Sequence, residues 1–117
     1  MKPLFLCYPR CGTCKKAVKW LEENNVEVTT RDITLENPSV EELTAWLAQS
    51  GLPIRRFFNT SGIKYREMGL KERVAQDSTE TLLQLLSTDG MLVKRPLLIT
   101  ADKVLVGFKE EEYQELL

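Results

Sequence analysis

The stretch PLFLCYPRCGTCKKAVKWL, residues 3–21, passes without a linker from an apolar run into a helical pattern, with two cysteines at the junction. That order leaves few folds open. Pro3–Tyr8 is short, apolar and bounded by prolines, which predicts a buried strand. Cys14, Ala17, Val18 and Leu21 then recur at i, i+3, i+4 and i+7, while Lys15, Lys16, Lys19, Glu22 and Glu23 fall elsewhere on the cylinder and Asn24-Asn25 supplies a stop. Val26–Ile33 alternates and is rich in β-branched residues, so a second strand follows. Strand, helix and strand at this spacing make a βαβ unit, whose two strands are parallel.

The character changes between about residues 35 and 90. SVEE (39–42) and DSTE (77–80) each have the S/D-x-x-E form of a helix N-terminus, ahead of Val40, Leu43, Leu47 and of Leu82, Leu85, Leu86 as apolar faces. Gly51 and Gly90 are placed to end these helices. After KRP (94–96) come LLIT and KVLVGF, two strands separated by Ala101-Asp102, and KEEEYQELL closes as a short helix. The expected fold class is therefore α/β with the thioredoxin or glutaredoxin arrangement: β-α-β, a helical insert at about 35–90, then β-β-α, in a single domain over 1–117. The C-x-x-C falls where that fold carries one, between the first strand and the first helix.

A chain of 117 residues with 43% hydrophobic content has the size and apolar material of one globular domain. A formal charge of −1 argues against a free-standing nucleic-acid binder, which needs a surplus of Lys and Arg on one face. The N-terminal apolar run is too short for a signal peptide or a membrane span, so the expected location is cytoplasmic, with no membrane partner. In a reducing compartment a close cysteine pair is catalytic, sensing or metal-binding rather than structural. Zinc needs four ligands, and the chain has three cysteines and no histidine. The expectation is no metal and no cofactor. Cys7, inside the first strand, reads as a small buried hydrophobe.

The helical phase assigns roles to the other two thiols. Cys14 begins the apolar stripe and points inward, whereas Cys11 precedes the helix in an exposed turn, so Cys11 is the attacking thiol and Cys14 the resolving one. Free N–H groups and the positive end of the helix dipole favour thiolate there, and Arg10, Lys15 and Lys16 add positive charge nearby. Lowering a thiol pKa from about 8.5 to about 6 takes roughly 3.4 kcal/mol and raises the thiolate fraction at neutral pH from a few per cent to about 90%. Arg95-Pro96 is the second landmark. A proline entering the third strand, with the cis form open to it, leaves the preceding backbone available to an extended substrate chain, and Arg95 is placed to contact an anion or the thiolate.

YPRCGTCKKAVKWLEENN, FFNTSGIKYRE, DGMLVKRPLLI and VGFKEEEY resemble the ArsC/Spx/MgsR family of small thioredoxin-fold proteins, four blocks in order over nearly the whole chain. The resemblance implies a nucleophile at Cys11, an anion-contacting arginine at Arg95, and a thiol reductant such as glutathione, bacillithiol, glutaredoxin or thioredoxin. Glutaredoxin-linked arsenate reductases carry three arginines for the oxyanion. Here the second position looks like Asn59 and the third falls in VLVGF, which leaves Arg95 alone. The Spx side of the family implies a different role, redox sensing through the C-x-x-C with contact to the RNA polymerase α-subunit near Gly51. Spx-type regulators continue past the last helix in a basic tail, and the sequence given stops at Leu117. The expected function is a thiol-disulfide oxidoreductase using Cys11, Cys14 and Arg95, with Arg10, Lys15 and Pro96 against the substrate; the alternative is the polymerase-binding sensor.

Overall fold

A computed structural model describes residues 2–117. Along the chain run β1 Leu4–Cys7, α1 Gly12–Glu23, β2 Thr29–Asp32, α2 Val40–Ser50, α3 Ile63–Glu67, α4 Leu70–Gln76, α5 Thr79–Ser87, β3 Leu97–Ile99, β4 Val104–Val106 and α6 Glu110–Tyr113. Short 3-10 turns occupy Ile54–Phe57, Gly90–Leu92 and Gln114–Leu116. Two compact units share these elements: residues up to Asp32 together with Arg95–Leu117, and Ile33–Lys94.

In the first unit the sheet order is β2-β1-β3-β4, with β1 and β2 parallel and β3 antiparallel to both β1 and β4. This is the thioredoxin-like α/β arrangement that the element order predicts. Strand periodicity sends Phe5 and Cys7 of β1 to one face, where they join Leu98 and Leu105 of the neighbouring strands and Cys14, Ala17, Trp20 and Leu21 of α1 in a single cluster. Tyr113 closes that cluster. It is fully buried, lies edge-on to Trp20 and Phe108 with ring centroids 5.7 and 4.8 Å away, and donates to the Gly107 carbonyl at 3.2 Å. Each large apolar side chain buried in this way contributes about 1.5–3 kcal/mol.

The second strand is shorter than Val26–Ile33, because the helix end takes its first residues. Asn25 adopts positive φ (57°), and Val26 donates back to the Leu21 carbonyl at 2.9 Å. Val26 and Val28 still pack on the cluster without entering the ladder.

The second unit carries α2–α5. Ser39 and Glu42 form a reciprocal capping box at the start of α2, and Gly51 ends that helix at φ 68°. Two expectations need correction. The cap of α5 is Ser78, whose hydroxyl accepts from the Thr81 N–H at 3.2 Å; Asp77 instead ends α4 and pairs with Arg73 at 2.9 Å, so its carboxylate is engaged one helix earlier. Gly90 does not terminate a helix. Residue Thr88 caps α5, and Gly90 opens the next 3-10 turn in close contact with the backbone of Ile33. Phe58 and Val93 form an isolated bridge, extended by bonds from Asn59 N–H to the Leu92 carbonyl and from Lys94 N–H to the Phe57 carbonyl, each 2.8 Å. Among the described residues no helix is long and apolar enough to cross a membrane.

Candidate functional site

The polypeptide between β1 and α1 is a tight turn closed by the Cys11 N–H on the Tyr8 carbonyl at 2.9 Å. It leaves Cys11 as the N-cap of α1 in extended conformation (φ −81°, ψ 124°), so that its side chain stands over the unsatisfied N–H groups of the first helical turn. Partial burial opposes ionisation of Cys11. The backbone N–H of Cys14, the Cys14 thiol, the Thr13 N–H and the positive charge of Arg95 overcome it and hold the Cys11 pKa below the ordinary thiol range.

Cys14 lies in the opposite environment. It is 1% exposed, and burial pushes its thiol up to about 12, with the charge of Cys11 acting in the same direction and the Tyr8 N–H, 3.3 Å from its sulfur, acting against it. One thiol is thus poised to ionise and its neighbour to stay protonated. Burial also raises Cys7, helped by the Asp32 charge. At neutral pH a limiting alkylating reagent is expected to modify Cys11 well before Cys7 or Cys14, with Cys11 reactive at lower pH than an ordinary thiol and Cys14 silent until strongly alkaline conditions. Mass mapping after brief exposure checks this; equal labelling of Cys11 and Cys7 would overturn it.

Arg95 and Pro96 arrive from the strand side. The Arg95–Pro96 peptide bond is cis, Pro96 is buried, and its carbonyl accepts from the Gly107 N–H at 2.8 Å. The Arg95 guanidinium lies 5.5 Å from the centre of the Tyr8 ring, a cation–π placement, while its charge reaches Cys11. Arg10 and Lys15 are exposed on either side of Cys11, and Lys15 also borders a cavity of about 260 Å³ lined with Cys7, Tyr8, Pro9, Cys14 and Val18. Cys11, Cys14, Arg95 and Lys15 therefore surround one turn. Tyr8 was not legible in the sequence. Its ring seats Arg95 and its N–H addresses Cys14, but a lone aromatic at a strand end carries no signature. A larger cavity of about 570 Å³ lies in the second unit, bordered by Pro53, Ile54, Tyr65 and Val74 among others, and contains no thiol.

The sequence model of the ArsC family matches residues 6–116. This chain belongs to the ArsC family. Among its relatives is the Bacillus subtilis (strain 168) protein YusI, 51% identical over 98% of both chains. The crystal structure of an ArsC family related protein from Bacteroides fragilis superposes with a TM-score of 0.97 at 55% identity, covering 100% of this chain and 98% of that one. The global transcriptional regulator Spx of Enterococcus faecalis is 32% identical over 93% of this chain and 81% of its own length. The crystal structure of a possible arsenate reductase from Streptococcus mutans UA159 superposes with a TM-score of 0.87 at 37% identity, covering 96% of this chain and 97% of that one.

Proposed function

We propose that this ArsC family chain is a thiol-disulfide oxidoreductase in which Cys11 is the nucleophile and Cys14 resolves. The observation that carries the reading is the split between the two thiols, one held below and one pushed well above the ordinary range three residues apart. In the reaction, the Cys11 thiolate attacks one sulfur of a substrate disulfide, forms a mixed disulfide and expels the other sulfur as a thiolate, which takes a proton from solvent. Burial is the main reason Cys14 stays protonated; capture of Cys11 removes the negative charge that adds to it, while the Tyr8 N–H remains to receive a thiolate. Cys14 then ionises more readily, attacks the Cys11 sulfur, and releases the second half of the substrate. A small thiol or protein thiol of the glutathione, bacillithiol, glutaredoxin or thioredoxin type returns the pair to the dithiol. Arg95 steadies anionic charge beside Cys11, with Arg10, Lys15 and Pro96 against the substrate.

The test is a Cys14→Ser trap: it should accumulate a mixed disulfide on Cys11 during turnover. Absence of any adduct would count against the reading. Arsenate is expected to be a poor substrate, because each missing charge-assisted donor costs about 1.5–3 kcal/mol and the family resemblance puts the second and third oxyanion arginines at Asn59 and in the arginine-free VLVGF segment. In a glutathione- and glutaredoxin-coupled assay, turnover should be weak or absent. Arg95→Ala should slow thiol exchange roughly tenfold or more, and Asn59→Ala far less; the reverse order would move the anion site.

The similarity to Spx supports a second reading, a redox sensor that contacts the RNA polymerase α-subunit. Gly51 is exposed, and a side chain added there meets nothing within 4 Å, so the surface around it is open to a partner. Micromolar binding of the carboxy-terminal domain of that α-subunit, lost in Gly51→Arg with Cys11 chemistry intact, would establish that reading in place of the first.

A further inference from the structure

The disulfide chemistry above leaves one thiol of the site unused. Cys7 shares with Cys14 the face of β1 that α1 covers, and both belong to the same buried cluster. The Cys14 sulfur accepts from the Tyr8 N–H at 3.3 Å, and since Tyr8 N is bonded to the Cys7 carbonyl carbon, that sulfur lies within about 6 Å of Cys7 Cα. The Cys14 thiol also lies within hydrogen-bond reach of the Cys7 sulfur, so the two side chains are direct neighbours. The cavity of about 260 Å³ has both Cys7 and Cys14 in its wall, whereas Cys11 does not line it. Two sulfurs buried at 6% and 1% exposure are therefore neighbours, next to an opening distinct from the face that Cys11 presents.

We propose that Cys7 is a second resolving thiol, which takes the disulfide inward from Cys11–Cys14 to Cys7–Cys14. The inference rests on the dithiol reading of Cys11 and Cys14. In the step, the Cys7 thiol loses its proton to solvent and attacks the Cys14 sulfur; the Cys7–Cys14 bond forms, the Cys11–Cys14 bond breaks, and Cys11 leaves as a thiolate. No electrons enter or leave the protein. Cys11 is the best leaving group of the three, because the helix N-terminus stabilises its thiolate, and leaving-group quality governs which sulfur is expelled. Burial keeps Cys7 protonated, so this exchange follows the first resolution rather than competing with it. Its consequence is a protein that stores an oxidising pair while its nucleophile is free again. The stored pair faces a small, mainly apolar cavity with Lys15 at its edge, suited to entry of a low-molecular-weight thiol rather than a folded protein.

Tryptic mapping separates the two disulfides. Cleavage after Arg10 and Lys15 places Cys7 in one peptide and Cys11 with Cys14 in another. A Cys11–Cys14 disulfide then stays within one peptide, and a Cys7–Cys14 disulfide joins two. Wild-type protein oxidised with one equivalent of diamide, quenched with acid at increasing times, is expected to show the internal disulfide first and the joined peptides growing at its expense. Cys7→Ala should keep the internal form indefinitely. Cys11→Ser, in which serine is a favourable N-cap, should give the joined peptides without passing through an internal disulfide, more slowly than wild type is oxidised, and alkylation after denaturation should then find neither Cys7 nor Cys14 free. Free Cys7 and Cys14, or only intermolecular dimers, in oxidised Cys11→Ser would overturn the pairing. An internal disulfide that persists unchanged in wild type would overturn the exchange. Joined peptides in wild type with no internal disulfide at any time would instead sink the dithiol reading and leave the Cys7 pairing standing.

Discussion

Cys11→Ser is expected to reduce thiol-disulfide exchange by on the order of a thousandfold or more, while the melting temperature stays within a few degrees of wild type. The hydroxyl cannot supply an anion at neutral pH, and the only other thiols are buried and held protonated by their surroundings. Stability should hold because Cys11 is only half-buried and a serine at an N-cap accepts well from the first-turn N–H groups that face the Cys11 sulfur. Turnover of a model disulfide, measured beside a thermal melt, checks both halves. Retention of a tenth of wild-type rate would mean that another group is the nucleophile. A large fall in melting temperature would mean that Cys11 is a packing residue.

Gly90→Ala should be strongly destabilising. A Cβ built on Gly90 would stand 1.8 Å from the Ile33 carbonyl oxygen, 2.7 Å from its carbon and 3.3 Å from Thr34 Cα. All three are backbone atoms, so no rotamer change relieves the clash and one of the two segments must move. The expected loss is about 3 kcal/mol or more, a fall of roughly 10 °C or more in melting temperature for a chain of this size. Gly12→Ala, where the added Cβ meets nothing within 4 Å, is the control and should be close to neutral. Urea titrations of both variants decide the matter; a loss below about 1 kcal/mol for Gly90→Ala would show that the 88–92 segment adjusts freely.

The two glycines singled out from the sequence illustrate how much local pattern carries. Gly51 follows an apolar helical stripe that begins at a Ser-x-x-Glu cap, and both ends of that helix are local events: a hydroxyl and a carboxylate exchanging bonds with N–H groups three residues away, and a backbone in the left-handed region. Nothing distant is needed to predict them. Gly90 looks the same in the sequence. Its requirement comes from Ile33, 57 positions earlier, and a contact at that separation leaves no periodicity to read. The misplaced cap of α5 has a similar origin, since Asp77 is drawn back to Arg73 on the preceding helix and leaves the capping to Ser78.

In the site, the amino-acid order alone determined that Cys11 precedes a helix and Cys14 lies on its apolar stripe, because helical periodicity and the β-α junction are properties of neighbouring residues. That was enough to separate a thiol at the helix end from one in the core and to choose the α/β class. Only the tertiary structure decided which charge acts on Cys11. Arg10 and Lys15 are its sequence neighbours, yet the cation whose charge lowers its pKa is Arg95, brought across by antiparallel pairing of β3 with β1 and seated on the Tyr8 ring. Tertiary structure likewise turned Cys7 from an anonymous apolar position into a neighbour of Cys14, since strand alternation places it on the α1 face and the Tyr8 N–H brings the Cys14 sulfur to that end of β1. Coulombic and sulfur–sulfur reach depend on distance in space, and the chain order holds that information only for residues a turn or two apart.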